Sequence, residues 1–259
     1  MVIPIIEKDA IVFLGLLAIG YKNFDTQFIH KDGKPTHSNG LNIFAAIIDN
    51  CDGEVIGQKQ NHIHAECNPM LHAEQLTLKE AIQRINIKRP RNSDEQSVES
   101  YYRDMLFNQP NKTEKIPMGA TIYTTLEPCP FCTSALLVTR MSRIVYIIPD
   151  TTYGQSFSFL KDKYYSSYNI TYENLKIPTY SESKLISNCG AKLKWLLDYV
   201  NSYTQIATLY LDDLKEFLQE CNAQFLQLTA ADLLTEGEDR QNNLNTLLGL
   251  QDRLKELYA

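Results

Sequence analysis

Two short runs hold the residue types best suited to chemistry. His72-Ala73-Glu74 sets an imidazole two residues ahead of a carboxylate, and Pro128-Cys129-Pro130-Phe131-Cys132 sets two thiols three apart. Thiols at that spacing, at the start of a helix, converge on one ion, and the positive end of the helix dipole favours their thiolate forms. One histidine then completes a three-ligand set, the number a catalytic zinc takes while its fourth position stays open for water. Zinc lowers the pKa of that water from about 16 to about 7 and so supplies a nucleophile at neutral pH. The expected site is therefore His72, Cys129 and Cys132 on Zn2+, with Glu74 beside the ion as the proton carrier and not a ligand.

Each motif alone has a plainer reading. Cys129-x-x-Cys132 could be a redox pair or half of a structural zinc knuckle, with Cys67, His62 or His64 closing a four-ligand site. Histidine and glutamate are also common in first turns of helices. Both motifs together favour the open, catalytic arrangement. His62 and His64 otherwise read as loop surface, and Cys51, Cys189 and Cys221 as inert thiols. Tyr153 and Phe157 are expected to pack in the ordinary way, with stacking on a base as the alternative.

The elements that must position these residues follow from periodicity. Ile43 to Asp49 is an apolar run suited to a buried strand, and Asn50-Cys51-Asp52-Gly53 supplies the turn into a second strand, Glu54 to Gln60. Residues 71 to 85 place Leu71, Leu78, Ile82 and Ile85 at helical spacings, which puts His72 and Glu74 in a first turn. A strand over Ala120 to Thr125, a helix over Pro130 to Arg140 and a strand over Arg143 to Ile148 form a parallel crossover. The expected fold is a three-layer α/β/α sandwich on a mixed sheet, with a C-terminal helical extension.

Residues 86 to 118 are polar, hold three prolines and read as an insertion, whose Lys88, Arg89 and Arg91 could touch phosphate. Residues 153 to 180 are rich in tyrosine and serine and have no clear period, and Lys184 to Val200 reads as a helix. Two further helical patterns follow: Leu209, Leu211, Leu214, Phe217, Leu218 and Cys221, then Leu244, Leu247, Leu248, Leu254 and Leu257. Such stripes pack on the parent domain or on a partner subunit, with a regulatory role as the alternative. The expected division is a zinc-dependent domain over 1–200 and an acidic helical extension over 201–259.

Composition bounds the function. At 44% hydrophobic and 22% charged, the chain has the make-up of a globular protein. Six cysteines are too sparse for a disulfide scaffold and point to a reducing, cytoplasmic setting. The apolar run Ile11 to Gly20 is too short to span a bilayer and follows Glu7, Lys8 and Asp9, so it reads as a buried helix and not a signal peptide. Residues 201–259 hold ten acidic and four basic residues, a net of −6 that equals the charge of the whole chain. The motif-bearing part is neutral and lacks the basic excess that favours nucleic acid.

The motifs in this order resemble the cytidine deaminase-like superfamily, whose signature is H-x-E followed by P-C-x-x-C. Within it, Asn68-Pro69-Met70-Leu71-His72-Ala73-Glu74 is similar to the D-P-x-x-H-A-E of the guanine, cytosine and tRNA adenosine deaminase branch, and Thr125-Leu126-Glu127-Pro128-Cys129 to its T-L-E-P-C. Ile43 to Asn61 is similar to that branch's first hairpin and the asparagine after it. Ala45 and Asn68 stand where the branch usually has glycine and aspartate.

The resemblance implies hydrolytic deamination of a nucleobase, nucleoside or nucleotide, with a purine slightly favoured. It implies Asn61, the backbone around Ala73 and the Thr125 to Pro128 loop as substrate contacts. A small-molecule substrate, a homo-oligomer and no membrane are expected with it. A tRNA-editing adenosine deaminase is the alternative, and so is a non-catalytic, zinc-stabilised interaction module.

Overall fold

A computed structural model describes residues 3–22, 43–63, 66, 68–88, 119–139, 141–150, 153–154, 156–164, 166, 170–174, 211–233 and 235–257. Helix α1 (Ile3–Lys22) is followed by strands β1 (Phe44–Asp49) and β2 (Val55–Gln60), then helix α2 (Ala73–Lys88). Strand β3 (Ala120–Leu126), helix α3 (Pro130–Val138) and strand β4 (Arg143–Ile148) come next. Helix α4 (Ser156–Tyr164), strand β5 (Thr171–Asn174), helix α5 (Leu211–Gln227), a 3-10 turn at Ala230–Asp232 and helix α6 (Gly237–Glu256) complete the described elements.

The five strands form one sheet in the order β2-β1-β3-β4-β5. β1 is antiparallel to β2 and β3, while β3, β4 and β5 run parallel. The mixed sheet and the β3-α3-β4 crossover match the sequence expectation. Alternation along the strands divides the buried side chains between two faces. Ala45, Ile47, Ile122 and Ile144 pack with Ala73, Leu78, Leu136 and Leu137 of α2 and α3. Phe44, Ala46, Ile48, Tyr123 and Val145 pack instead with Ile11, Leu16 and Ile19 of α1 and with Phe225, Leu247 and Leu250 of α5 and α6. The result is a three-layer sandwich.

The two C-terminal helices therefore lie on α1, on the face of the sheet opposite α2 and α3. Within α6, Leu247, Leu250 and Leu254 are buried, whereas Leu248 and Leu257 are exposed. The turn between β1 and β2 is held against the same helix. Gly53 has φ of +74°, and a Cβ there would come within 1.9 Å of the Asn242 carbonyl oxygen, so only glycine fits. Its carbonyl accepts a 2.6 Å hydrogen bond from the Thr246 hydroxyl.

The apolar run at 11–20 lies inside α1 and is buried, as expected. Among the described residues no helix is long and apolar enough to cross a membrane. Three boundaries differ from the sequence reading. His72 precedes α2 and does not lie in its first turn; its carbonyl accepts the Leu76 N–H at 3.0 Å, as an N-cap residue does. α2 continues to Lys88, into the segment read as insertion. α3 stops at Val138, because the Thr139 hydroxyl bonds the carbonyls of Ala135 and Leu136 and closes the last turn. Arg89, Arg91, the expected helix at 184–200, His64, Cys67 and Cys189 lie outside the described residues.

Candidate active site

β3 and β4 are parallel neighbours, with Leu126 opposite Ile148. The loops after them leave the same edge of the sheet side by side. The first loop carries Cys129 and runs into α3, whose first turn is opened by Pro130 and contains Cys132. Proline suits that first position, where its missing N–H has no intrahelical partner to lose. From the other side comes α2, entered through a turn in which the Asn68 side-chain oxygen accepts the Met70 N–H at 3.0 Å. An aspartate oxygen would accept the same bond, so Asn68 preserves the turn the motif needs.

These two helix starts bring His72, Cys129 and Cys132 together, with their ligand atoms within 4.8 Å of one another. His72 Nδ1 and Cys129 Sγ are 3.8 Å apart. A nitrogen and a sulfur sharing a tetrahedral zinc stand about 3.6 Å apart, given bond lengths of roughly 2.05 and 2.3 Å. One nitrogen and two sulfurs are also a donor set that suits zinc. The three residues fit the ion expected from the sequence. The His72 ring also bonds the Pro69 carbonyl, an orienting contact typical of a metal-binding histidine. Phe131 stands edge-on to it, with ring centroids 5.8 Å apart.

The electrostatics agree with that donor set. A hydrogen bond from the Cys132 thiol lowers the Cys129 pKa to about 4, against the effect of burial and with help from His72. Its bond to Cys129, together with burial, pushes Cys132 the other way. The His72 pKa is raised, chiefly by its hydrogen bond to Cys129. Burial lifts the Glu74 carboxyl to about 7, a value suited to taking and returning a proton near neutrality. Glu74 is only 4% exposed and exchanges a hydrogen bond with Cys132, so it sits beside the ligand set.

Ala73 is fully buried and is the first residue of α2, where a backbone N–H has no partner within the helix. Asn61 follows β2, and its side-chain oxygen accepts the Ile63 N–H at 2.9 Å, the local bonding open to any loop asparagine. His62 lies 3.3 Å from Glu66 in the same loop. Tyr153 is 66% exposed, whereas Phe157 is buried in ordinary packing, as expected.

Two further residues border the site, one inside the expected Thr125 to Pro128 loop and one given no role from sequence. Glu127 is 4% exposed, and its carboxylate accepts the Asp150 N–H and the Tyr172 hydroxyl, each at 3.0 Å. Tyr172 stacks on Phe157, with centroids 4.1 Å apart and planes 8° from parallel. Glu127 lies in the Thr125-Leu126-Glu127-Pro128-Cys129 run, but nothing local in that run marks it as the partner of Tyr172. Tyr172 falls in the stretch that showed no period.

Residues 29–148 match the family model described as the cytidine and deoxycytidylate deaminase zinc-binding region. The tRNA-specific adenosine deaminase of Aquifex aeolicus (strain VF5) is 28% identical over 103 residues, 40% of this chain and 50% of that protein. The tRNA-specific adenosine deaminase of Bacillus subtilis (strain 168) is 27% identical over 117 residues, 45% of this chain and 55% of that protein. The chain thus spans about half the length of these curated relatives. A solved structure of guanine deaminase from Nitrosomonas europaea is 14% identical, with a TM-score of 0.35, covering 70% of this chain and 72% of its own.

Proposed function

We propose that this chain, whose residues 29–148 match the cytidine and deoxycytidylate deaminase zinc-binding region, is a hydrolase that removes the exocyclic amine of a nucleobase, free or in a nucleoside or nucleotide, with a purine favoured. The observation that carries this reading is the convergence of His72, Cys129 and Cys132 beside the buried carboxyl of Glu74. Zinc held by those three residues supplies a water of lowered pKa as the nucleophile.

The chain's own groups do the rest. Glu74 takes a proton from the attacking water and passes it to a ring nitrogen of the base as the amine-bearing carbon is attacked. It then carries the second proton to the departing amine, so that one water and one amine become one carbonyl and one ammonia. The backbone N–H of Ala73, at the first position of α2, bonds the base. Asn61 orients the base with its side-chain NH2, since its oxygen is engaged by Ile63.

Ammonia release from a panel of free bases, nucleosides, nucleotides and a tRNA tests the proposal, with zinc-stripped protein as the control. Release from at least one substrate, lost on stripping and restored by zinc, supports it. Release from none defeats it.

A second reading has one specific support: the two bacterial relatives are tRNA-specific adenosine deaminases by name. Brought to this chain, that reading requires a basic surface to offset its neutral motif-bearing part. Activity on tRNA that falls steeply with added salt, with none on free nucleosides, selects it.

A further inference from the structure

Glu127 is a buried carboxylate that neither binds the metal set nor faces solvent, and its surroundings come from three elements. The strand register sets Glu127, at the end of β3, beside the chain leaving β4, since Leu126 pairs with Ile148. One carboxylate oxygen accepts the backbone N–H of Asp150 and the other accepts the hydroxyl of Tyr172, from β5, both at 3.0 Å.

The turn that begins at Asp150 is closed by two of its own bonds: Tyr153 N–H to the Asp150 side chain and Gly154 N–H to the Asp150 carbonyl, each 2.9 Å. It passes so close that a Cβ on Gly154 would stand 2.4 Å from Glu127 Oε2 and 2.3 Å from the Asp150 carbonyl oxygen. Beyond the turn, Ser156 Oγ lies 3.3 Å from the hydroxyl of Thr133, the residue after Cys132.

We propose that Glu127 and Tyr172 are a positioning pair: the Tyr172 hydroxyl fixes the Glu127 carboxylate, which clamps Asp150 and Gly154 against the loop carrying Cys129 and so sets the path by which the base reaches Glu74. Three features support it. Both loops leave the same edge of the sheet side by side, and one of them carries Cys129. One carboxylate oxygen holds the Asp150 amide while the other meets the Tyr172 hydroxyl on β5, so the same side chain joins the chain after β4 to β5. The ring of Tyr172 is held independently by stacking on Phe157, so its hydroxyl is aimed and not merely near. Neither residue touches the reacting atoms; they act through the two loops.

The inference rests on the deaminase reading for its kinetic consequence but not for its structural one, and the test uses both. Tyr172→Phe removes only the hydroxyl and leaves the stacked ring. Gly154→Ala forces the turn away from Glu127 from the opposite side. Each variant of the zinc-loaded full chain is followed by hydrogen exchange at the Asp150 amide, by metal content after dialysis, and by kcat and KM on whichever substrate releases ammonia.

Both variants are expected to speed exchange at Asp150 about 10-fold, since the amide loses a fixed acceptor. KM should rise about 5- to 10-fold with kcat within about 3-fold, as misplacing a wall by a fraction of an ångström weakens binding before chemistry. Zinc content should stay at the wild-type level.

Unchanged exchange at Asp150 in both variants overturns the clamp. So does a fall in kcat that tracks loss of zinc with KM unaltered, because the pair would then be a support for the metal alone. If the wild type releases ammonia from no substrate, the deaminase reading fails, and the exchange measurement still decides whether Glu127 and Tyr172 hold the turn.

Discussion

Two buried carboxylates on the α1 face and Glu74 on the other are treated in opposite ways. On the α1 face, Glu7 is 2% exposed and accepts bonds from the Thr235 N–H, the Thr235 hydroxyl and the Asn243 side chain. Asp9, 1% exposed, receives both terminal nitrogens of Arg143 at 2.7 Å and the Tyr123 hydroxyl at 2.6 Å. On the α2 and α3 face, Glu74 is as deeply buried, yet burial dominates and lifts its carboxyl to about 7. A buried carboxylate met by several donors ties elements of the fold together. One left under-solvated is poised between two states and is free to move a proton.

The largest effect expected is from the metal set itself. Cys132→Ser should lose both zinc and turnover, because only two of the three ligands, His72 and Cys129, remain to hold the ion; metal analysis and ammonia release read the two losses together. A variant that kept stoichiometric zinc would break the assignment of Cys132. Next is Glu74→Ala, which should keep zinc and lower kcat by about 10²- to 10⁴-fold, the usual contribution of a positioned acid or base. Normal turnover in that variant would falsify the proton-carrier role and, with it, the contrast between the two faces.

The opposite face should answer in stability. Asp9→Ala leaves the part-buried Arg143 with only the partly exposed Glu173 as a carboxylate partner among the described residues. Breaking one partner of a buried pair costs about 3–5 kcal/mol, so a thermal or urea melt should fall markedly. Ammonia release per folded, zinc-loaded molecule should be unchanged. A drop in kcat with normal stability would mean that the α1 face reaches the chemistry, and the division between faces would no longer hold.

Much of the chemical face was legible because its constraints are local. Two thiols three apart and an imidazole two before a carboxylate are short-range patterns, and the strands beneath them are apolar runs bounded by turn residues. The supporting contacts were not legible, because they join residues far apart in the chain. Glu127 and Tyr172 are 45 positions apart, and Glu7 and Asn243 are 236 apart. Their pairing depends on strand register and on which helix covers which face. The stripes on the tail announced buried helices, but only the packed core shows that their partner is α1.

Asn61 offers the smallest effect and the finest division between structure and chemistry. Its side-chain oxygen already serves the loop by accepting the Ile63 N–H, and its own N–H bonds the Ile43 carbonyl. Alanine at this position removes the loop bond and the substrate donor together, and KM should rise about 10-fold, the worth of one hydrogen bond of roughly 1.4 kcal/mol. Asn61→Asp separates the two jobs. It keeps an oxygen for Ile63 but puts an acceptor where the substrate would meet a donor. If Asn61 orients the base, the aspartate variant should bind substrate no better than alanine does. A return to the wild-type KM in Asn61→Asp would instead place this residue with Glu7 and Asp9, among the polar groups that shape the fold and leave the chemistry to others.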